Sequence, residues 1–432
     1  MPPWSVCQNG QGQPAKCSGS QNLMNGRDPL IESCQTLAIA TQRMSSSNTP
    51  TPNPAIQPGV SWKQRLSRAP LLMLAMLFLV TGVWGGLVRL MWSPVPLTSF
   101  NVNWVSFHGP LMVSGFLGTL IGVERAVAVG RWWAFPGPML TAAGGLMLIA
   151  GVLGKPVPVA FVLGSVCLLS VVVAFAARWP STFLVVMACG NASWLVGNLL
   201  WLQRWPIHRV VPWWMGFLLL TIVAERLELS RFLQPNRWQH RLFLTATATF
   251  LGGLVVSTLE QKFGEQIAGI GMFALAFWLL RNDIARRTIR QPGLPRFTAA
   301  CLLSGYVWLA IAGLGLLFHS PLPKYGPVYD SVLHIFFLGF VFAMIFGHAP
   351  IIFPAVLNIS IPFRRRFYAH VVLLQLSLVL RIVGDTCMMP YLNGWGGLLN
   401  AAAIVLFVFS TVTSAASSAF SGAKSQQTEV AS

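Results

Sequence analysis

The chain has 432 residues, 54% of them apolar and only 9% charged, with 29 Lys and Arg against 11 Asp and Glu for a net charge of +18. A soluble domain carries roughly 25% charged residues, so this composition cannot cover a water-facing surface. Soluble, collagen-like, disulfide-scaffold and wholly disordered classes are excluded, and the positive excess is assigned to loops on the cytoplasmic side of a membrane rather than to nucleic acid.

Residues 1–69 are rich in Ser, Asn, Gln, Pro and Gly and show no apolar period. The stretch has no secretory h-region and reads as a disordered tail; Met44 offers an alternative start. From Pro70 onward apolar runs repeat. A helix needs roughly 20 apolar residues to cross about 30 Å of hydrocarbon. Twelve runs approach that length: 71–92, 103–127, 133–154, 156–177, 181–203, 210–228, 242–259, 265–281, 297–318, 328–353, 367–385 and 394–419. The least marked boundaries lie near Lys155 and Gly264. Residues 421–432 form a second disordered tail. The expected fold is therefore an all-α polytopic membrane bundle of about twelve helices over 70–420, with the lipid bilayer as its first partner.

Charge sets the expected orientation. With the N-terminus inside, nineteen Lys and Arg fall in the flanks and the even-numbered connections, against five (Lys155, Arg204, Arg209, Lys262 and Lys324) on the opposite side. That bias places both termini in the cytoplasm. The seven Cys form no CxxC or CxxCH motif, which removes zinc-ribbon, thioredoxin-like and c-type haem attachment. Cys167, Cys189 and Cys301 lie in apolar runs and read as small core residues, while Cys7, Cys17 and Cys34 belong to the N-terminal tail. No GxxxxGK[ST] loop is present, which disfavours an ATP-driven pump.

Spans two, six and ten share a pattern: Gly115-Phe116, Gly216-Phe217 and Gly339-Phe340 are each followed, nine residues after the Gly, by a polar residue, namely Glu124, Glu225 and His348. The three spans are four apart, so the bundle is expected to be three pseudo-repeats of four helices, with these spans in equivalent inward-facing places. Chance is the competing account, since Gly-Phe is common in membrane helices.

Ionisable groups at membrane depth are costly and are functional candidates by default. His208 and His240 fall in expected loops. His108, His319 and His334 form an outer layer. His348 and His370 form an inner one with Glu124 and Glu225. His334 and His348 are fourteen residues apart, about 21 Å along a helix, so they cannot share one metal. Two His from different helices at one depth could be axial ligands of a haem, each offering a neutral imidazole nitrogen. The alternative is interfacial His bound to headgroups or backbone carbonyls. Arg89 and Arg381, at the outer ends of spans one and eleven, could hold the carboxylates of such a group. They could equally snorkel to the interface, and Arg381 could pair with Asp385, four residues on. Glu124-Arg125 and Glu225-Arg226 fit either structural salt bridges or a proton path. Pro350 and Pro354 predict a break in span ten.

This outline resembles the catalytic subunit of the haem–copper oxidases, with twelve helices in three pseudo-symmetric groups of four. There a low-spin haem is held by one His on helix two and one on helix ten, and His108 and His334 match those places. The copper ligands of that family are not matched. Spans six and seven carry no His, and span ten has no His-x-His. Copper is not expected, and a copper-dependent oxidase or reductase is disfavoured. The segment from His334 to Gly347-His348, and the run from His108 through Gly115-Phe116, are also similar to the NnrS family. These are polytopic bacterial membrane proteins containing haem and copper and associated with nitrogen-oxide metabolism. The His-to-His spacing in span ten is shorter than in that family. The resemblance implies a bacterial inner-membrane protein with haem on His108 and His334, and Arg89 and Arg381 at the propionates. His319, His348 and His370 follow as secondary metal candidates, and a respiratory or redox protein as partner. Its role would be electron transfer or nitrogen-oxide handling. A proton-coupled secondary transporter using Glu124, Glu225 and His348, with Arg125 or Arg226 meeting the solute, is the competing function, and an assembly factor for a respiratory complex a third.

Overall fold

The computed structural model describes residues 62–90, 92, 105–230, 236–357 and 361–430. The expectations for residues 1–61, including the start at Met44 and the tail cysteines, lie outside the described residues. Every described secondary-structure element is helical. In chain order the longer helices are α1 (Trp62–Arg89), α2 (His108–Val129), α3 (Pro136–Ile149), α4 (Pro156–Arg178), α5 (Thr182–Leu202) and α6 (Ile207–Leu229). There follow α7 (Arg237–Leu259), α8 (Gln261–Asn282), α9 (Leu294–His319), α10 (327–357), α11 (Phe367–Thr386) and α12 (Pro390–Val430). All twelve expected apolar segments are therefore helices, and the protein is an integral membrane protein.

Eleven of these helices are long and apolar enough to span a membrane. The exception is α3, whose 14 residues reach only about 21 Å at 1.5 Å per residue. It starts late because Gly130 closes α2 in the left-handed conformation, at φ 68°, and the turn Trp132–Ala134 follows. Four other boundaries differ from expectation. The chain is already helical at Trp62, within the stretch assigned to the N-terminal tail, and α12 continues to Val430 through the stretch assigned to the C-terminal one. Gly264 is not a boundary: the α7–α8 break is at Glu260, and a Cβ on Gly264 would lie 2.0 Å from the Ser257 backbone nitrogen. Gly264 instead lets the two helix backbones touch, the usual role of small residues in membrane helix packing. Finally, α7 begins at Arg237 because Asn236 and Gln239 form a reciprocal capping box. His240 thus sits in the first turn of α7 and His208 in the first turn of α6, not in loops.

The repeat is visible in burial. The windows of α6, α10 and α2 are 78%, 72% and 61% buried, and the next highest is α8 at 56%. These are the three helices with the Gly-Phe motif. A second correspondence is in the backbone: α2 widens to a π-helix over Leu111–Gly118, and α10 does so over Ile335–Phe342. Each segment is eight residues long, with the Gly-Phe pair at the same place inside it. Segments of π-helix are rare and concentrate at functional sites.

Candidate functional site

The first wide segment begins three residues after His108 and the second directly after His334. The two imidazoles face across a gap between α2 and α10, with ring centroids 6.4 Å apart and planes 20° from parallel. His108 Nδ1 lies 2.6 Å from the carbonyl oxygen of Gly82 on α1. Its ring rests on Gly86 one turn later, where a Cβ would be 3.0 Å from Cε1. His334 Nδ1 lies 2.8 Å from the carbonyl oxygen of Asp330 and 3.3 Å from that residue's Oδ1. A carbonyl oxygen can only accept, so both Nδ1 atoms carry the proton. Both Nε2 atoms are then left with a lone pair and no hydrogen-bond partner among the described residues. A second hydrogen bond that fixes the tautomer in this way is the normal support of a metal-binding imidazole.

The pair opens on a cavity of about 330 Å³ bounded by α1, α2, α6, α10, α11 and α12. Val83, Val113, Trp214, Leu333, Phe337 and Ile404 are among its apolar walls, and Arg89 and Arg381 both line it. The four residues that the sequence nominates for a cofactor therefore meet in one place. Arg381 is not paired with Asp385. It forms a bidentate ion pair with Asp330, Nε to Oδ2 at 2.8 Å and Nη2 to Oδ1 at 2.9 Å. Asp385 instead accepts from the Ser331 hydroxyl at 2.8 Å and from the Asn393 amide. Nη1 of Arg381 has no hydrogen-bond partner among the described residues. Arg89 is exposed and forms no ion pair among them. Asp330, Gly82 and Gly86 complete the site and were not singled out from sequence. Only Asp330 left a signal, one helical turn before His334.

The remaining His diverge. His319 is exposed at the end of α9, its Nδ1 bonded to the Gly315 carbonyl at 3.2 Å, and it does not line the cavity. His348 spends both nitrogens: Nδ1 donates to the Met344 carbonyl at 2.7 Å, and Nε2 accepts from Arg226 at 3.3 Å. His370 does not join the inner set. It is 1% exposed inside a box of Phe297, Phe346, Phe367 and Phe407, with ring centroids 4.8 to 6.0 Å away, and neither nitrogen has a partner among the described residues. No group of three or more His, Cys, Asp or Glu suited to a metal ion occurs among the described residues.

Glu124, Glu225 and His348 line a smaller cavity of about 90 Å³ between α2, α6 and α10. Arg125 pairs with Glu225 and lies 3.6 Å from Glu124. Arg226 forms a buried bidentate pair with Asp283, both bonds 2.9 Å, and the Tyr306 hydroxyl donates to the same carboxylate at 3.0 Å.

A family model described as a domain of unknown function (DUF8744) matches residues 68–416, and the chain belongs to that family. No curated protein and no solved structure matches it.

Proposed function

We propose that this member of the DUF8744 family binds haem through His108 and His334, with Arg89 and Arg381 at the propionates. Its role is then electron transfer or nitrogen-oxide handling rather than oxygen reduction. The observation that carries the reading is the imidazole pair, 6.4 Å between centroids and nearly parallel, with both Nδ1 protons committed to carbonyl oxygens. Two metal–nitrogen bonds of about 2 Å, extended by the depth of each ring, need about 6 Å between imidazole centres. The cavity suits a flat apolar ligand with an acidic edge: it falls in the range of about 300–1,000 Å³ typical of small-molecule sites, and Arg381 keeps one nitrogen uncommitted. His108 and His334 would hold the haem, which when bound would supply one-electron chemistry. Around it the chain's own residues orient: Gly82 and Asp330 hold the rings, and Asp330 steadies Arg381.

The same reading extends the likeness to NnrS proteins and gives a setting. The chain would sit in a bacterial inner membrane with both termini in the cytoplasm, by the charge asymmetry of its connections, and exchange electrons with a respiratory or redox partner.

The test is a reduced-minus-oxidised visible spectrum of the protein purified in detergent from haem-replete cells, beside His108→Ala and His334→Ala. A sharp reduced α band lost in both variants is expected. A colourless wild-type protein would overturn the reading. It would leave proton-coupled transport, whose support is the cavity lined by Glu124, Glu225 and His348.

A further inference from the structure

At the end of the bundle opposite the His pair, the α4–α5 turn, the end of α6, the first turn of α7 and the α8–α9 connection line a cavity of about 830 Å³. Arg281, Arg286, Arg287 and Arg290 line it and are exposed. None of the four has an ion pair among the described residues. The carboxylate in the lining, Asp283, does not offset them. Its Oδ1 accepts from Arg226 Nη2 at 2.9 Å and the Ala285 N–H at 2.7 Å, and its Oδ2 from Arg226 Nε at 2.9 Å and the Tyr306 hydroxyl at 3.0 Å. Its charge is spent on Arg226.

Basic connections alone follow from membrane topology and would carry nothing. Two further observations separate this place from the other basic loops. Ser181 and Ser230 both line the cavity, and the hydroxyl oxygen of each is buried with no hydrogen-bond partner among the described residues. Ser230 is 5% exposed. A buried hydroxyl without a partner is costly, and such groups ask for an explanation. In addition, Ser181 stands at the N-cap position of the 21-residue α5, with the extended backbone usual there, but its side chain makes no capping bond. The first turn of α5, with Thr182 and Phe183 in the cavity wall, therefore presents open N–H groups and the positive end of the helix dipole there.

We propose that this cavity binds a phosphate group. Phosphate oxygens accept from Arg forks, from hydroxyls and from a helix N-terminus, and apart from the Arg286 Nη1 bond to the Arg281 carbonyl those donors have no partner among the described residues. The phosphate could belong to an anionic phospholipid, since basic pockets between membrane helices hold such headgroups, or to a water-soluble phosphate compound. Binding does not depend on haem at the other end of the bundle.

The experiment uses the full chain. In one arm, detergent-purified protein is titrated with inorganic pyrophosphate and its thermal midpoint followed. In the other, native mass spectrometry compares retention of cardiolipin with that of phosphatidylcholine. Both arms are repeated with Ser230→Ala, with Arg287→Gln/Arg290→Gln, and with the control Arg364→Gln/Arg365→Gln on the α10–α11 connection. A midpoint shift with pyrophosphate, weakened about tenfold by Ser230→Ala and by the Arg287/Arg290 pair but not by the control, identifies a soluble phosphate site. Selective cardiolipin retention with the same variant pattern, and no pyrophosphate response, identifies a headgroup site. Absence of binding in both arms overturns the proposal. So does binding that ignores Ser230→Ala and falls equally with the control pair, which is the behaviour of a diffuse basic surface.

Discussion

Arg226 Nη1 reaches His348 Nε2 at 3.3 Å, and one repeat earlier Arg125 reaches Glu225. In both contacts, the Arg that follows the motif's polar residue on one inner helix meets the motif's polar residue on the next. The step runs from α2 to α6 and from α6 to α10. It cannot close back to α2, because Ala349 stands where a third Arg would be. The three-fold relation is thus expressed in side-chain contacts as well as in burial, and it stops at one defined residue.

The two links differ in cost. Arg226 and Asp283 have side chains 4% and 1% exposed, whereas Arg125 and Glu225 are 20% and 22% exposed. Removing one partner of a buried pair leaves an uncompensated charge and costs about 3–5 kcal/mol. Arg226→Met should therefore lower the thermal midpoint in detergent far more than Arg125→Met. Adding Asp283→Asn to Arg226→Met should return part of the loss, because the bare charge is gone while the amide oxygen still accepts from the Ala285 N–H and the Tyr306 hydroxyl can turn to accept from the amide NH2. Equal losses for the two single variants would show that the Asp283 pair is not the dominant one.

Depth was legible in the sequence and azimuth was not. Apolar run length gave all twelve segments, and counting along them put His108 and His334 at one level, where the structure brings them together. The same counting put His319 at that level, yet it is exposed at the end of α9 and does not line the cavity. Neighbours far apart in sequence were beyond reach: Arg381 has a carboxylate one turn away in Asp385 but takes Asp330, 51 residues back. Periodicity reports which face a residue occupies on its own helix, not what stands opposite. The π segments are the second reason. A wider turn changes which side chains share a face, and nothing in the residues of 111–118 or 335–342 announces one.

His370 shows how little depth alone says. An imidazole at the start of α11 reads as an inner-layer ligand, but the structure surrounds it with four Phe rings and leaves both nitrogens unpaired. An unsatisfied buried polar group costs about 1–3 kcal/mol. His370→Phe, which keeps the ring shape, should raise the thermal midpoint. A midpoint that drops would mean the imidazole has a partner that the box of Phe conceals.

The orientation proposed from charge can be read with a native reporter. Cys387 is exposed in the α11–α12 connection, at the end that carries the His pair. A membrane-impermeant maleimide applied to intact cells should modify wild type and not Cys387→Ser. Modification of that site only after permeabilisation would invert the topology and place the Arg-rich connections outside.

Gly86 makes the floor under His108. A methyl group there would sit 3.0 Å from Cε1 and 3.3 Å from Nδ1, so the ring must tilt and its bond to the Gly82 carbonyl must lengthen. Under the proposed haem reading, Gly86→Ala should lower haem content per protein, while Gly252→Ala on α7, away from the cavity and with a Cβ that meets nothing within 4 Å, should leave it unchanged. Pyridine haemochrome content of the two purified variants gives the comparison. Full occupancy in Gly86→Ala would show that the ring does not need this floor.

Asp330 is the residue through which the two halves of the proposed site act on each other. Its carbonyl fixes the His334 tautomer, and its carboxylate holds Arg381, which is 7% exposed. Asp330→Asn preserves the backbone carbonyl and one side-chain acceptor but removes the charge. The guanidinium is then buried with a neutral partner, and the Oδ1 contact 3.3 Å from His334 Nδ1 no longer carries negative charge. Loss of an outer partner of a metal ligand typically costs 10–100-fold in affinity. Asp330→Asn should therefore keep the helical fold by circular dichroism yet release haem to apomyoglobin about 10–100 times faster than wild type. Asp385→Asn, which has no hydrogen bond or ion pair with Arg381 or His334 among the described residues, is the matched control. Equal release rates for the two would assign Asp330 a role in packing alone, since a carboxylate that only filled space would be replaced by Asn without consequence for the iron.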